Sequence, residues 1–164
     1  MIKKINISIL SMFFVGYSKY APGTVASFIT CLIFILLYIF QINILFLIGA
    51  VSLIFIYSVY AIDKSVNYFD TIDAKEIVVD EFIGQSIPIL TFYNYIQVNN
   101  FGDFILLVLL SFFLFRIFDI TKPYPINKID RNMKNGFGVI LDDVVAGIYS
   151  SVVLLIIFSF IYYE

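Results

Sequence analysis

Residues 77–92, IVVDEFIGQSIPILTF, decide how many helices this chain places in a membrane. The stretch is apolar except for two acids, one amide, one serine and one threonine. If it lay in solution, the polar segments 62–76 and 121–143 would fall on opposite faces of the membrane, and lysines would lie on both. If it enters the bilayer as a span or a re-entrant helix, the outer loops are 41–43 and 93–103, which contain no lysine or arginine. The positive-inside rule favours this second arrangement.

Four further apolar runs, each close to the ~20 residues that a membrane helix needs, complete the pattern. They cover residues 25–40, 44–61, 104–120 and 144–163. The chain is 62% hydrophobic and 13% charged, whereas soluble domains are about 25% charged. We therefore expect an all-α integral membrane protein that forms a single domain over residues 1–164. It would be a compact bundle of about five membrane helices with a cytoplasmic N-terminus and a polar site at the cytoplasmic face.

The segment before the first long apolar run is short and basic at its start. Residues 3–17 resemble a signal peptide, but no A-x-A cleavage site follows, so we expect an interfacial or poorly inserted segment. The sequence Ala21-Pro22-Gly23-Thr24 then predicts a turn, with Thr24 as the N-cap of the next helix.

The composition also restricts the chemistry. The chain has no histidine, which excludes imidazole bases, histidine nucleophiles and histidine-based zinc sites. Its one cysteine, Cys31, lies in an apolar run and cannot form an intramolecular disulfide. The net charge is -2, and there is no basic patch suited to nucleic acid. Carboxylates, lysines, hydroxyls and a metal held by oxygen remain as the groups that could react.

Carboxylates cluster around the start of the 77–92 stretch. Asp73, Glu76 and Asp80 are spaced i, i+3, i+7, which predicts one face of a helix, and Glu81 lies beside that face. Ionisable groups at membrane depth are costly and usually mark a functional or paired site. This spacing therefore makes the cluster a candidate site.

Two other helix ends carry charge at the same face. Arg116 and Asp119 are spaced i, i+3 and can pair, and the prolines after Lys122 end that helix beside Asp119. A glycine-containing turn precedes Asp142 and Asp143, which we expect to open the last helix. Two adjacent carboxylates repel each other, and a bound cation would offset that repulsion.

So many carboxylates at one membrane face suit Mg²⁺ or Mn²⁺ better than zinc. The nearby basic groups suit a phosphate, so the pattern indicates metal-assisted phosphoryl chemistry on an amphiphile at the membrane interface. An alternative is a small membrane cation carrier or channel that uses intramembrane acids. Proton or Mg²⁺ flux abolished by Asp80→Asn would favour that alternative.

Four motifs in this order also resemble the bacterial phosphatidylglycerophosphatase A family. They are Ala21-Pro22-Gly23-Thr24; Lys75-Glu76-Ile77-Val78-Val79-Asp80-Glu81 with Gly84 and Gln85; Arg116-Ile117-Phe118-Asp119 with Lys122-Pro123-Tyr124-Pro125-Ile126; and Gly138-Val139-Ile140-Leu141-Asp142-Asp143-Val144-Val145-Ala146-Gly147. The resemblance implies a Mg²⁺-dependent phosphoric monoester hydrolase of the bacterial cytoplasmic (inner) membrane. Its substrate would be a phospholipid of the bilayer, phosphatidylglycerophosphate, and its product phosphatidylglycerol.

The motifs and the resemblance together predict the site residues. The predicted catalytic residues are Asp80, Glu81, Asp119, Lys122, Asp142 and Asp143. The predicted metal ligands are Glu76, Asp80, Glu81, Asp119, Asp142 and Asp143. The predicted phosphate-binding residues are Lys19, Thr24, Arg116 and Lys122. A metal-activated water would attack the phosphomonoester. A covalent aspartyl-phosphate route and the identity of the general base stay open.

Overall fold

The computed structural model describes residues 2–65, 69, 71–93 and 101–162. These residues form seven α-helices and one short 3₁₀ turn at Val15–Tyr17, and no strand occurs among them. The helices are α1 (Ile2–Leu10), α2 (Pro22–Ile39), α3 (Ile44–Ser65), α4 (Val79–Phe92), α5 (Phe101–Thr121), α6 (Ile126–Asn132) and α7 (Gly136–Tyr162).

Four of these helices are long and apolar enough to cross a membrane. They are α2, α3, α5 and α7, with mean hydropathies between 2.1 and 2.4 over the best 18-residue window of each. The expectation of an all-helical membrane bundle is therefore confirmed. A short connection lies at the predicted loop 41–43, because α2 ends at Ile39 and α3 begins at Ile44. Most of the predicted outer loop 93–103 lies outside the described residues.

The fifth helix of the expected bundle, α4, is shorter than the others. Its 14 residues make a helix about 21 Å long, less than the ~30 Å hydrocarbon thickness of a bilayer. Nine of the 14 are buried, so α4 lies inside the bundle, where other helices cover it. A helix in that position can carry acids near its start because they face protein and not lipid.

The contact between α4 and α7 is the most extensive in the bundle, and small residues make it close. A side chain on Gly147 of α7 would overlap the backbone carbonyl oxygen of Gly84 on α4. One residue further along α4, the Gln85 amide donates a hydrogen bond to Ser111 Oγ of α5 at 3.2 Å. Gly84 thus allows the close approach of α7, and Gln85 forms a hydrogen bond within the bundle.

An apolar core fills the end of the bundle away from the acids. Aromatic rings dominate it, and Tyr38 of α2 stacks on Phe104 of α5 with the ring centroids 3.8 Å apart. Phe92 at the end of α4 packs against Phe158 of α7. This packing fixes the helices at one end, while the charged residues collect at the other.

The start of α4 differs from the predicted one. The helix begins at Val79, so Asp73 and Glu76 lie in the preceding loop, and the expectation that they share a helix face with Asp80 is wrong. The Val78 N–H donates a hydrogen bond to Leu10 O at 2.9 Å. This long-range bond holds the backbone before Val79 against the end of α1.

The α4 helix thus starts later than predicted, whereas two other helices start earlier in the chain than predicted. Ala21 occupies the N-cap of α2 and Pro22 its first turn, so the prediction of Thr24 as the N-cap is wrong. Proline suits a first helical position because its missing N–H would have no partner there.

The last helix, α7, begins at Gly136, so the prediction that Asp142 and Asp143 open it is wrong. The Asn135 side chain accepts a hydrogen bond from the Gly138 N–H at 2.8 Å and caps the earlier start. Both aspartates therefore lie nearly two turns inside the helix.

Candidate active site

A cavity of about 590 Å³ opens at the charged end of the bundle. The starts of α2, α4 and α7, the end of α5 and the loops beside them surround it. Its lining residues are Pro22, Gly23, Thr71, Ile72, Asp73, Ala74, Lys75, Ile77, Asp80, Glu81, Asp119, Lys122, Asp130, Met133, Lys134, Gly138, Val139, Asp142 and Asp143. A volume of this size suits a small organic ligand and exceeds what one phosphate needs.

Three carboxylates form the innermost cluster of the cavity. Asp80 and Glu81 of α4 and Asp143 of α7 each place one oxygen so that all three oxygens lie within 4.8 Å of one another. Asp143 is 4% exposed and Asp80 is 9% exposed. These acids come from two helices, and they lie close together because α4 and α7 are in close contact. Gly84 lies one turn after the acids of α4 and packs on the Asp143 backbone.

Two oxygen atoms of this cluster have no protein partner. Asp80 Oδ1 and Glu81 Oε2 are buried and make no hydrogen bond to any described residue. Burying an anionic oxygen without a partner is costly. A divalent cation bound between the three carboxylates would remove that cost, and hard oxygen ligands of this kind suit Mg²⁺ or Mn²⁺.

Lys122 forms the cationic side of the cavity. Its Nζ lies 2.8 Å from Asp142 Oδ2 and 2.9 Å from Asp130 Oδ1. Partial burial lowers the pKa of Lys122, but the hydrogen bonds to Asp142 and Asp130 outweigh it and raise the pKa above its ordinary value. The hydrogen bond from Lys122 also lowers the pKa of Asp130. Lys122 is therefore a fixed positive charge that links the end of α5 to α6 and α7.

The adjacent acids of α7 face different partners. Asp142 accepts the hydrogen bond from Lys122, whereas Asp143 joins the cluster with Asp80 and Glu81. Successive residues of a helix point about 100° apart, which makes this division possible. The lysine offsets the charge of one acid, and the other remains available to a cation.

A second ion pair lies beside the cavity at the end of α5. Arg116 Nη1 is 2.6 Å from Asp119 Oδ2, which confirms the pairing expected from their spacing. The same guanidinium nitrogen donates a longer hydrogen bond to Ser27 Oγ of α2 at 3.5 Å. Asp119 lines the cavity, whereas Arg116 is not among the lining residues.

The structure brings six of the predicted site residues together in the cavity lining. They are Asp80, Glu81, Asp119, Lys122, Asp142 and Asp143. Four others are not among the lining residues. Arg116 forms an ion pair with Asp119, Thr24 is inside the first turn of α2, and Glu76 is in the loop before α4. Lys19 is exposed, with its Nζ 5.4 Å from the ring centroid of Tyr20.

A family profile described as Phosphatidylglycerophosphatase A matches residues 8–158 of the chain. The chain belongs to the phosphatidylglycerophosphatase A family. The family is one of phosphatases, and the chain is an enzyme of this class. No solved structure has significant similarity to it.

Named relatives agree with this membership. A Haemophilus influenzae protein named "Phosphatidylglycerophosphatase A" is 36% identical over 140 residues, which cover 82% of this chain and 77% of the relative. The Escherichia coli protein of that name is 35% identical over 96 residues, covering 58% and 51%. A Bacteroides thetaiotaomicron protein named "Putative phosphatidylinositol-3-phosphatase" is 34% identical over 142 residues, covering 85% and 84%.

Sequence reasoning missed several residues that line the cavity of this family member. Asp130 pairs with Lys122 from the short helix α6, and Pro123 and Pro125 separate the two residues, so no single helical periodicity reveals the pair. Lys75 and Lys134 belong to loops whose course depends on tertiary contacts. Their only sequence signal is their place beside the acidic motifs.

Proposed function

We propose that this protein removes the terminal phosphate of phosphatidylglycerophosphate at the cytoplasmic face of the bacterial inner membrane. One observation carries the proposal. Asp80, Glu81 and Asp143, two of which have unpartnered buried oxygens, lie in the same cavity as the fixed cation Lys122. Phosphomonoester hydrolysis needs a cation near the phosphoryl group and a positive charge that attracts the anionic substrate. Here the acids would hold the cation, and the lysine would attract the anion.

The cluster would hold Mg²⁺ through Asp80, Glu81 and Asp143. Asp119 also lines the cavity and would be the next carboxylate available to the ion. When bound, the ion would neutralise charge on the phosphoryl oxygens and make water more acidic. The unpartnered oxygens of Asp80 and Glu81 are the structural reason to expect a cation here.

The chain's own residues then have distinct tasks in the hydrolysis. Lys122 attracts the phosphomonoester and stays charged because Asp130 and Asp142 hold it. Water attacks the phosphorus atom, and the bond from phosphorus to the head-group oxygen breaks. A carboxylate of the cluster accepts the proton that the water loses and then gives a proton to the departing alkoxide, so that the carboxylate returns to its starting state. Arg116 fixes Asp119 at the cavity wall by their 2.6 Å ion pair.

The names of the relatives indicate that the substrate is a phospholipid with a phosphorylated head group. Phosphatidylglycerophosphate and phosphatidylinositol 3-phosphate, to which these names refer, carry different polyols. Both lipids have a terminal phosphomonoester and a phosphodiester that joins the head group to the diacylglycerol. A cavity of about 590 Å³ can hold such a head group and not only its terminal phosphate.

Phosphate release by the purified protein in detergent micelles tests this function. Phosphatidylglycerophosphate is supplied with Mg²⁺ in one reaction and with excess EDTA in another. We expect inorganic phosphate with Mg²⁺ and a loss of release in EDTA that added Mg²⁺ restores. A folded protein that releases no phosphate with Mg²⁺ present would contradict the proposal.

The cytoplasmic orientation has a separate test by thiol labelling in intact cells. Cys31 is buried and is replaced by serine, after which Lys128→Cys and Gln41→Cys are compared. Both positions are exposed, one in α6 and one in the turn between α2 and α3. A membrane-impermeant maleimide should label Gln41→Cys in intact cells and Lys128→Cys only after lysis. The reverse result would invert the orientation.

A further inference from the structure

We propose that Lys75 and Lys134 bind the phosphodiester of the substrate and thereby select lipids that carry two phosphates. This inference rests on the proposed function and adds a second anion site to it. The terminal phosphomonoester would lie at Lys122 and the carboxylate cluster. The phosphodiester, which remains on the product, would lie at the mouth of the cavity between the two lysines.

The first support is the placement of the two lysines. Lys75 lies in the loop before α4, and Lys134 lies in the connection between α6 and α7, yet both line the cavity of the cluster. Segments far apart in sequence thus deliver like charges to one opening. Both side chains are exposed, whereas Asp80 and Asp143 are buried. The cavity therefore runs from a buried acidic end to an exposed mouth, where two lysines outnumber one acid, Asp73.

The second support is that the other cations at the site already pair with carboxylates. Lys122 is engaged by two carboxylates and Arg116 by one. Lys75 and Lys134 make no ion pair with any described residue. Among the cations described here, these two therefore line the cavity without a direct ion pair, although the charge of Lys134 also helps to lower the pKa of Asp130.

The third support is the charge balance of the cavity. Its lining contains seven carboxylates, Asp73, Asp80, Glu81, Asp119, Asp130, Asp142 and Asp143, against three lysines. Such an acidic lining repels an anionic lipid. A cation in the cluster offsets that repulsion only at the buried end, so a second phosphate at the mouth needs basic groups there.

The position of the phosphodiester predicts which kinetic constant changes. Its charge is the same in substrate, transition state and product. A contact with it therefore contributes equally to binding the ground state and the transition state, and its loss raises KM while kcat stays nearly constant. Both lysines are exposed, so the contact should weaken as salt is added.

The test compares wild type with the double variant Lys75→Ala/Lys134→Ala in mixed micelles of fixed lipid mole fraction. The matched control is Lys128→Ala, an exposed lysine of α6 that is not among the lining residues. KM and kcat are measured with phosphatidylglycerophosphate. Phosphatidate, which has a phosphomonoester and no phosphodiester, is added as a competitor, and its inhibition constant is measured.

We expect KM for phosphatidylglycerophosphate to rise about fivefold in the double variant, the order expected of two exposed charge contacts. The inhibition constant of phosphatidate should change less than twofold, and KM should return towards wild type in Lys75→Arg/Lys134→Arg. An unchanged KM, an equal weakening of both lipids or a fall in kcat alone would overturn the inference.

This outcome is separable from failure of the proposed function. A wild-type protein that releases no phosphate from phosphatidylglycerophosphate would refute the function, and the inference with it. A wild type that hydrolyses this lipid beside a double variant with the same KM would leave the function intact and refute only the assignment of Lys75 and Lys134.

Discussion

Gly23 at the start of α2 lies directly against Oε1 of Glu81 on α4, so that any side chain at position 23 would overlap this carboxylate oxygen. The start of α2 therefore forms one wall of the cluster. The atom that such a side chain meets is the end of a glutamate and not backbone, so a substitution would displace the carboxylate before it displaced a helix.

Gly23→Ala should reduce phosphatase activity at least tenfold with little loss of thermal stability. The reason is that the new methyl group pushes Glu81 away from Asp80 and Asp143, and small displacements of catalytic groups have large effects on rate. Activity and melting temperature of the variant in detergent check this. Gly49→Ala is the matched control, because a methyl group there meets no atom within 4 Å. Equal activity of the two variants would contradict the placement.

Gly147→Ala, unlike Gly23→Ala, should mainly affect stability and should lower the free energy of unfolding by about 1–3 kcal/mol. Its methyl group would overlap the backbone carbonyl oxygen of Gly84, and a backbone in the middle of α4 cannot move as a side chain can. Thermal or denaturant unfolding in detergent measures the effect against the same Gly49→Ala control. A melting temperature equal to that of wild type would show that α4 and α7 are not in this close contact.

Lys122→Met should abolish most activity and also destabilise the protein by about 1–3 kcal/mol, because buried Asp142 loses its hydrogen-bond donor. The variant keeps the length of the side chain and removes the charge. Unfolding and phosphate release are measured together. The double variant Lys122→Met/Asp142→Asn should regain stability but not activity. Regained activity would show that Lys122 only neutralises Asp142.

Asp130→Asn should lower activity less than Lys122→Met does. Lys122 keeps its 2.8 Å contact with Asp142 in this variant and loses only the 2.9 Å contact with Asp130. If Asp130 acts only by positioning the lysine, Asp130→Asn should cause no further loss of activity when Lys122 is already methionine. A double-mutant cycle of phosphate release measures this coupling. Fully additive losses would place Asp130 in a separate role.

Much of the fold follows from the sequence because the bilayer imposes simple requirements. Apolar runs of sufficient length predict α2, α3, α5 and α7, and the distribution of lysines predicts that the start of α4, the end of α5 and the start of α7 share one face. The short helix α4 was the ambiguous element. Its polar residues face other helices, and burial inside a bundle is a tertiary property that local hydropathy does not show.

Two of the three errors in helix starts, those of α4 and α7, involve contacts with distant parts of the chain. The Val78 N–H bonds to Leu10 O, and the Gly136 N–H bonds to Asp63 Oδ1, over separations of 68 and 73 residues. Local capping signals do not contain such contacts. The same limit explains why Asp130 escaped notice, since its partner Lys122 lies across a turn and not along one helix face.

Phosphate release from phosphatidylglycerophosphate across a range of Mg²⁺ concentrations, with Asp80→Asn and Asp143→Asn beside wild type, tests the central claim most directly. The claim is that acids from α4 and α7 form one cation-holding catalytic centre. Asp103→Asn is the control, because Asp103 is in the first turn of α5 at the far end of the bundle. We predict that wild type and the control need Mg²⁺ and are equally active, while both cluster variants lose at least about 100-fold in rate. Wild-type rates in either cluster variant, or activity independent of Mg²⁺, would contradict the account.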